Sequence, residues 1–167
     1  RQLWMSLMDY QKERIFTFFS PEADALGSGW NIAQSKIAIG SGQFFGKGYM
    51  EGSQSQLDFI PESHTDFIFA VIVEEFGFLG ALILFFLYAF LIYKLLLVAK
   101  KSNSKFAKLV AATLSIILAA YITLNISMVV GIFPVVGMPL PFISQGGTAL
   151  VVNMITIGII LSLRRTT

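Results

Sequence analysis

Reactive side chains are most densely grouped between positions 59 and 67. This segment holds His64, the only histidine of the chain, together with the carboxylates Glu62 and Asp66. A carboxylate that lies within reach of a substrate hydroxyl can take its proton and so act as a general base. The alternative is structural, because Thr65 or Asp66 could accept hydrogen bonds from free amide groups at the start of a helix. The spacing alone leaves both interpretations open.

Further carboxylates follow this segment. Asp66, Ala70 and Glu74 occupy i, i+4 and i+8 positions, which share one face of a helix, and Glu75 lies beside them. Carboxylates in the outer part of a membrane helix are costly and usually mark function. Alternatively, Glu74 and Glu75 lie among lipid headgroups or pair with a basic residue in the half of the protein that precedes this chain. The pattern favours neither interpretation.

A glycine-rich loop with one lysine occupies positions 39–48. Backbone amides together with a cation such as Lys47 can bind a phosphate group. The spacing differs from that of the nucleotide-binding P-loop, because Gly48 stands where that motif needs serine or threonine. A simple turn is the alternative interpretation. The chain has no cysteine, which excludes disulfides, thiolate metal sites and thiol catalysis.

The composition indicates a membrane protein. Hydrophobic residues make up 55% of the chain, mean hydropathy is +0.72, and only 13% of the residues are charged. Soluble domains are about 25% charged. Sixteen phenylalanines fit a lipid-facing protein, and a formal net charge of +2 is too small to indicate a nucleic-acid partner.

The distribution of apolar residues predicts an all-α, polytopic fold. Positions 76–98 are nearly uncharged and long enough to cross a bilayer, and 109–163 contain no charge but are interrupted by Pro134, Pro139 and Pro141. Asn125, Ser144 and Gln145 fall in or beside these spans, where polar side chains commonly bridge helices. The predicted segments are a loop with the end of a helix at 1–66, spans at 67–99, 109–132 and 141–163, a basic loop at 100–108, a turn at 133–140 and a terminal tail at 164–167.

The basic residues predict the orientation of these spans. Four lysines lie within 100–108, and Arg164 and Arg165 follow the last span. Short loops rich in lysine and arginine stay in the cytoplasm. The 1–66 loop and the 133–140 turn should therefore face the periplasm, and the reactive segment lies in that outward loop.

Several segments in order along the chain resemble the SEDS family (shape, elongation, division and sporulation), on its RodA branch. They are QSKIAIGSG at 34–42, GKG at 46–48, GSQSQL at 52–57, FIPESHTDFIFA at 59–70, NISMVVG at 125–131, PVVGMPLP at 134–141 and SQGG at 144–147. The family usually has a second glycine where Gln43 stands and tyrosine where Gln145 stands. The resemblance implies the C-terminal part of a ten-helix bundle, with its last three transmembrane helices and a large extracytoplasmic loop.

The resemblance also implies a function. Family members are peptidoglycan glycosyltransferases of the inner membrane, which polymerise lipid II into glycan strands during elongation and so maintain rod shape. Asp66 matches the family's essential aspartate and would be the catalytic base. The residues expected to bind substrate are Lys47, which could balance pyrophosphate charge, and Gln54, Gln56, Glu62, His64 and Thr65.

The implied partners are lipid II, undecaprenyl-linked glycan, a class B penicillin-binding protein and other membrane proteins of the elongation complex. No nucleic acid and no protein-bound metal site are expected. A divalent cation, Mg²⁺ or Mn²⁺, could also balance the pyrophosphate charge. The alternatives from other functional classes are a lipid II flippase, with Asn125 lining a path, and a scaffold that only binds partners.

Overall fold

The protein is described here by a computed structural model that covers residues 8, 12, 14, 16, 17, 28–56 and 64–165. Within these residues every regular element is helical, which confirms the predicted all-α class. The helices are α1 Ser28–Ser41, α2 Ser53–Gln56, α3 Ile68–Lys101, α4 Lys105–Val130 and α5 Gly147–Arg165.

Two of these helices are long and apolar enough to cross a membrane. They are α3, with 34 residues, and α4, with 26 residues. Compared with the spans predicted at 67–99 and 109–132, α3 ends two residues later, whereas α4 starts four residues earlier and ends two residues earlier. The apolar part of α5, Gly147–Leu163, is shorter. The prediction that this helix starts at 141 is wrong, because residues 141–146 form a turn whose polar groups bond to another part of the chain.

Helices α3 and α4 make the most extensive contact in the fold. Small residues let their backbones approach closely near the basic loop, where Ala99, Ala107 and Ala111 are buried. Further along α3, the hydroxyl of Tyr88 donates a 2.6 Å hydrogen bond to the carbonyl oxygen of Pro141. This bond fastens α3 to the segment between α4 and α5.

Helix α1 packs against both α3 and α4. Ser35 is fully buried in this contact, and its Oγ donates to the carbonyl oxygen of Val129 at 2.9 Å. Helix α4 ends one residue later, where Gly131 adopts a φ of 80°. Glycine suits this left-handed position because it has no Cβ atom, and in this conformation its amide bonds back to the last turn of the helix.

Helix α3 is broken near its start by the 42–48 loop, the segment that follows α1. At Gly77 the backbone leaves the helical region, with φ 67° and ψ −165°. The amide and carbonyl groups released by this break bond to the 42–48 loop, as buried backbone groups must find partners. The bonds are Lys47 N to Glu74 O at 3.0 Å, Gly48 N to Glu75 O at 3.1 Å, Phe78 N to Gln43 O at 2.9 Å, and Leu79 N to Phe44 O at 3.1 Å.

Glycines allow this close backbone approach. A Cβ atom at Gly46 would overlap the carbonyl of Glu75, and a Cβ at Gly77 would overlap the amide nitrogen of Gly46. The neighbouring Gln43 has a φ of 48°, a left-handed conformation that favours glycine. The family usually has glycine where Gln43 stands, and the left-handed backbone at this position is the physical reason for that preference.

Candidate functional site

Asp66 lies in a turn at 64–67, immediately before α3. The N-cap residue of α3 is Phe67, and it makes no side-chain capping bond. The alternative interpretation placed the cap at Thr65 or Asp66, one or two residues too early. Asp66 is half-buried, whereas the adjacent Phe67 is only 1% exposed. The phenylalanine thus anchors the turn and leaves the neighbouring carboxylate partly accessible.

Three successive carbonyl oxygens of this turn accept hydrogen bonds from α4 and from the segment before α5. We call these three bonds the carbonyl clamp. The donors and distances are Gln145 N to His64 O at 2.9 Å, Ser144 Oγ to Thr65 O at 2.6 Å, and Asn125 Nδ2 to Asp66 O at 2.9 Å. The backbone that carries the candidate base is therefore held on every peptide from 64 to 66.

Asn125 has a defined orientation in this clamp. It is fully buried, and its Nδ2 donates both to Asp66 O at 2.9 Å and to Met138 O at 2.6 Å. Both partners are carbonyl acceptors, so the amide nitrogen must face them. Its Oδ1 is buried and has no hydrogen-bond partner within the described part of the chain. From the sequence, Ser144 was expected only to bridge helices, and Asn125 either to bridge helices or to line a path in a flippase.

The segment after α4 brings a cation close to Asp66. A Cβ atom at Gly137 would lie 3.4 Å from Asp66 Oδ2 and 4.0 Å from Arg14 Nη1, so both groups adjoin this glycine. Arg14 Nη1 also donates to the carbonyl oxygen of Val135 at 3.2 Å. The sequence offers no local signal for this arrangement, because Arg14 is remote from Asp66 along the chain.

Glu74 has different surroundings. Its carboxylate is fully buried, and the ammonium group of Lys47 lies 2.8 Å from Glu74 Oε1. The same oxygen accepts a 3.0 Å bond from the amide of Gln54, and longer contacts come from the hydroxyls of Ser53 at 3.3 Å and Ser41 at 3.5 Å. The sequence allowed Glu74 to pair with a basic residue, but the predicted location of that residue, outside this chain, is wrong because the partner is Lys47.

The glycine-rich loop is not arranged as a phosphate cradle. The amides of Gly46, Lys47 and Gly48 all donate to carbonyl oxygens of the protein. The Lys47 ammonium contacts Ser53 Oγ at 2.7 Å as well as Glu74, and the Lys47 side chain is 29% exposed. The loop therefore uses its backbone donors to join α1 to the break in α3.

Among the other predicted substrate residues, those that the structure describes lie at the Asp66 turn or in α2. His64 is exposed and Thr65 is half-buried in the clamped turn. Gln54 lies in α2, where its side-chain Oε1 is buried without a partner in the described part of the chain. The side chain of Gln56 and the whole of Glu62 lie outside the described residues. Those residues contain no group of three or more His, Cys, Asp or Glu side chains that could hold a metal ion.

Comparison with known proteins gives consistent matches along the whole chain. A family model described as a cell cycle protein, FTSW_RODA_SPOVE, matches residues 2–167. The peptidoglycan glycosyltransferase MrdB of Escherichia coli K12 is 52% identical over 162 residues, covering 96% of this chain and 44% of MrdB. The peptidoglycan glycosyltransferase RodA of Treponema pallidum is 40% identical over 157 residues, covering 94% of this chain and 36% of RodA.

One similar solved structure concerns the coordination of polymerization and crosslinking by a peptidoglycan synthase complex. A chain in it matches with a TM-score of 0.77 and 28% identity, covering 98% of this chain and 44% of that chain. The present chain thus spans less than half the length of these relatives.

Proposed function

This chain belongs to the FtsW/RodA/SpoVE family, and on that premise we propose that it acts in a peptidoglycan glycosyltransferase of the bacterial inner membrane. The reaction is the polymerisation of lipid II into glycan strands during cell elongation. The proposal is supported by the names of the curated relatives, which are peptidoglycan glycosyltransferases. Within the chain it rests on one observation, the clamped and partly accessible carboxylate of Asp66 at the start of a membrane helix.

Asp66 acts as the general base. A sugar hydroxyl is a weak nucleophile until its proton is removed, and a positioned base contributes about 10²–10⁴-fold to the rate. Asp66 takes the proton of the GlcNAc 4-hydroxyl of one lipid II molecule. That oxygen then bonds to the anomeric carbon of the growing glycan, and the bond from this carbon to undecaprenyl pyrophosphate breaks.

Three residues near Asp66 are proposed to bind the substrate. His64 and Thr65 belong to the same turn, and Arg14 adjoins Gly137 beside the Asp66 carboxylate. Arg14 is therefore better placed than Lys47 to balance the negative charge of the pyrophosphate, because Lys47 already pairs with Glu74. Roles for Lys47, Gln54, Gln56 and Glu62 in substrate binding stay predictions.

The proposal includes orientation, partners and cofactor. The turn that carries Asp66 faces the periplasm, where lipid-linked sugars are polymerised, and the lysines between α3 and α4 stay in the cytoplasm. A class B penicillin-binding protein cross-links the strands, and other membrane proteins of the elongation complex join it. A divalent cation, Mg²⁺ or Mn²⁺, that balances the pyrophosphate charge stays a prediction.

The test is the Asp66→Asn variant of the full-length protein, purified with its transpeptidase partner and assayed for glycan polymer from lipid II on a gel. Asparagine keeps the size of the side chain but cannot accept the proton. We expect normal folding and a loss of at least about 10²-fold, equivalent to about 2.7 kcal/mol of transition-state stabilisation.

Asp58→Asn is a matched carboxylate-to-amide control in the same outward loop, and it should retain activity. Retention of most activity in well-folded Asp66→Asn would remove Asp66 from the mechanism. A flippase or a scaffold would lose little from this substitution, so the same result would favour those alternatives.

A further inference from the structure

The carbonyl clamp joins the candidate base to two elements that are distant along the chain. Asn125 lies on α4, 59 positions from Asp66, and Ser144 lies 79 positions from Thr65. The hydrogen bonds from Asn125 and Ser144 are 2.9 Å and 2.6 Å long. Ser144 Oγ also accepts a 2.6 Å bond from the amide of Leu140. The clamp therefore links the turn at 64–66, the end of α4 and the segment before α5 into one hydrogen-bonded unit.

This arrangement exceeds what helix packing requires. A buried polar side chain is costly unless it is hydrogen-bonded, and Asn125 is fully buried with its Oδ1 unpaired in the described part of the chain. An apolar residue would fill the same space on α4 without that cost. The two bonds from Nδ2 are consequently the physical reason for an amide at this position, and one of them ends on the peptide of Asp66 itself.

The accuracy required of a general base explains the value of such a clamp. A base must lie within hydrogen-bond reach of the proton it removes, and a misplacement of about 1 Å can cost about 10²-fold in rate. The turn at 64–67 precedes the helix and has no side-chain cap at Phe67. The clamp supplies the restraint that capping does not, by holding the carbonyls on the turn from outside.

We propose that Asn125 and Ser144 are positioning residues for Asp66. By holding the backbone of the turn, they keep the Asp66 carboxylate within reach of the acceptor hydroxyl. The inference rests on the proposed role of Asp66 as the base. Asn125 sets the peptide of Asp66 against the Met138 carbonyl, and Ser144 sets the preceding peptide. Neither side chain touches the substrate.

The experiment uses the full-length protein with its transpeptidase and lipid II as the substrate. We expect Asn125→Leu to lower kcat by about 10–100-fold, because the Asp66 peptide loses its restraint. Ser144→Ala should lower kcat by about 3–10-fold, the equivalent of one hydrogen bond. The KM for lipid II should stay within about twofold of the wild-type value, since neither residue binds the substrate.

Two controls separate positioning from a general loss of structure. Ser144→Thr keeps the hydroxyl and should restore most of the rate lost in Ser144→Ala. Ser115→Ala removes a buried hydroxyl from the same helix α4. Within the part of the chain that the structure describes, this hydroxyl donates to Ala111 O of its own helix, so its loss should leave kcat unchanged. Thermal unfolding in detergent reports whether each variant is folded.

Several results would overturn the inference. Wild-type kcat in folded Asn125→Leu and Ser144→Ala would do so, as would a rise in KM with constant kcat or an equal loss in Ser115→Ala. If Asn125→Leu does not fold, the comparison of Ser144→Ala with Ser144→Thr decides. Asp66→Asn, assayed in parallel, separates the two failures: if it is inactive while the clamp variants are active, only the positioning role is wrong, whereas its activity would remove the proposed base.

Discussion

The buried pair of Glu74 and Lys47 gives a quantitative prediction for the junction between the 42–48 loop and α3. Lys47→Met removes the cation that pairs with the fully buried carboxylate of Glu74, while the Gln54 amide still donates to that carboxylate. Breaking a buried ion pair in this way costs about 3–5 kcal/mol. Because the Lys47 side chain is 29% exposed and partly screened by water, we expect a smaller cost of about 2–3 kcal/mol.

Replacing the carboxylate of Glu74 instead of the cation of Lys47 should cost much less stability. Glu74→Gln keeps the shape of the side chain and an oxygen that can accept from the Gln54 amide, while the freed Lys47 ammonium can be solvated. We expect about 1 kcal/mol, the size of one net hydrogen bond. The double variant should resemble Glu74→Gln alone, because Lys47 has no buried charge left to neutralise.

Hydrogen exchange measures this asymmetry at the junction. The amides of Lys47 and Gly48 bond to the carbonyls of Glu74 and Glu75, so they exchange only when the loop separates from α3. A loss of 2–3 kcal/mol predicts exchange about 30–150-fold faster in Lys47→Met. Lys105→Met, at an exposed lysine, is the matched control and should leave this exchange unchanged.

Two outcomes would refute this reasoning. One is equal acceleration of exchange in Lys47→Met and Glu74→Gln, and the other is strict additivity in the double variant. The same variants test the substrate role predicted for Lys47. If Lys47 binds pyrophosphate, the KM for lipid II rises in both Lys47→Met and the double variant. If it only neutralises Glu74, the double variant recovers polymerisation.

Three further predictions concern the loop and the topology. Gly46→Ala should destabilise the protein by about 2–5 kcal/mol, because the new Cβ overlaps the carbonyl of Glu75 at a left-handed position, and an unchanged thermal midpoint would contradict this. Gln43→Gly should raise stability by up to about 1 kcal/mol by relieving a left-handed φ, and a lower thermal midpoint would show otherwise. Cysteines at Ser102 and Ser55 should react with impermeant reagents from opposite sides of the membrane in intact cells, and labelling of both from outside would reverse the topology.

Much of the fold could be predicted from the sequence. The membrane class, the helical fold and the break between the last two spans follow from hydropathy and proline, which act locally along the chain. Asp66 could be singled out as a candidate base from its charge and its resemblance to a family motif. The third span was predicted to begin six residues too early (141 against Gly147), because the apolar run alone does not reveal that Ser144 and Gln145 bond elsewhere.

The tertiary structure alone determined which groups meet. Glu74 finds Lys47 across 27 positions, Asp66 receives Asn125 across 59, and Arg14 reaches the segment at Val135 across 121. No periodicity connects such residues, because their contact depends on how α3 and α4 pack and where the loop inserts at Gly77. Hydrophobic patterning specifies which elements form and which faces are apolar, whereas the partners of buried polar groups depend on the packed chain, where each donor must find an acceptor.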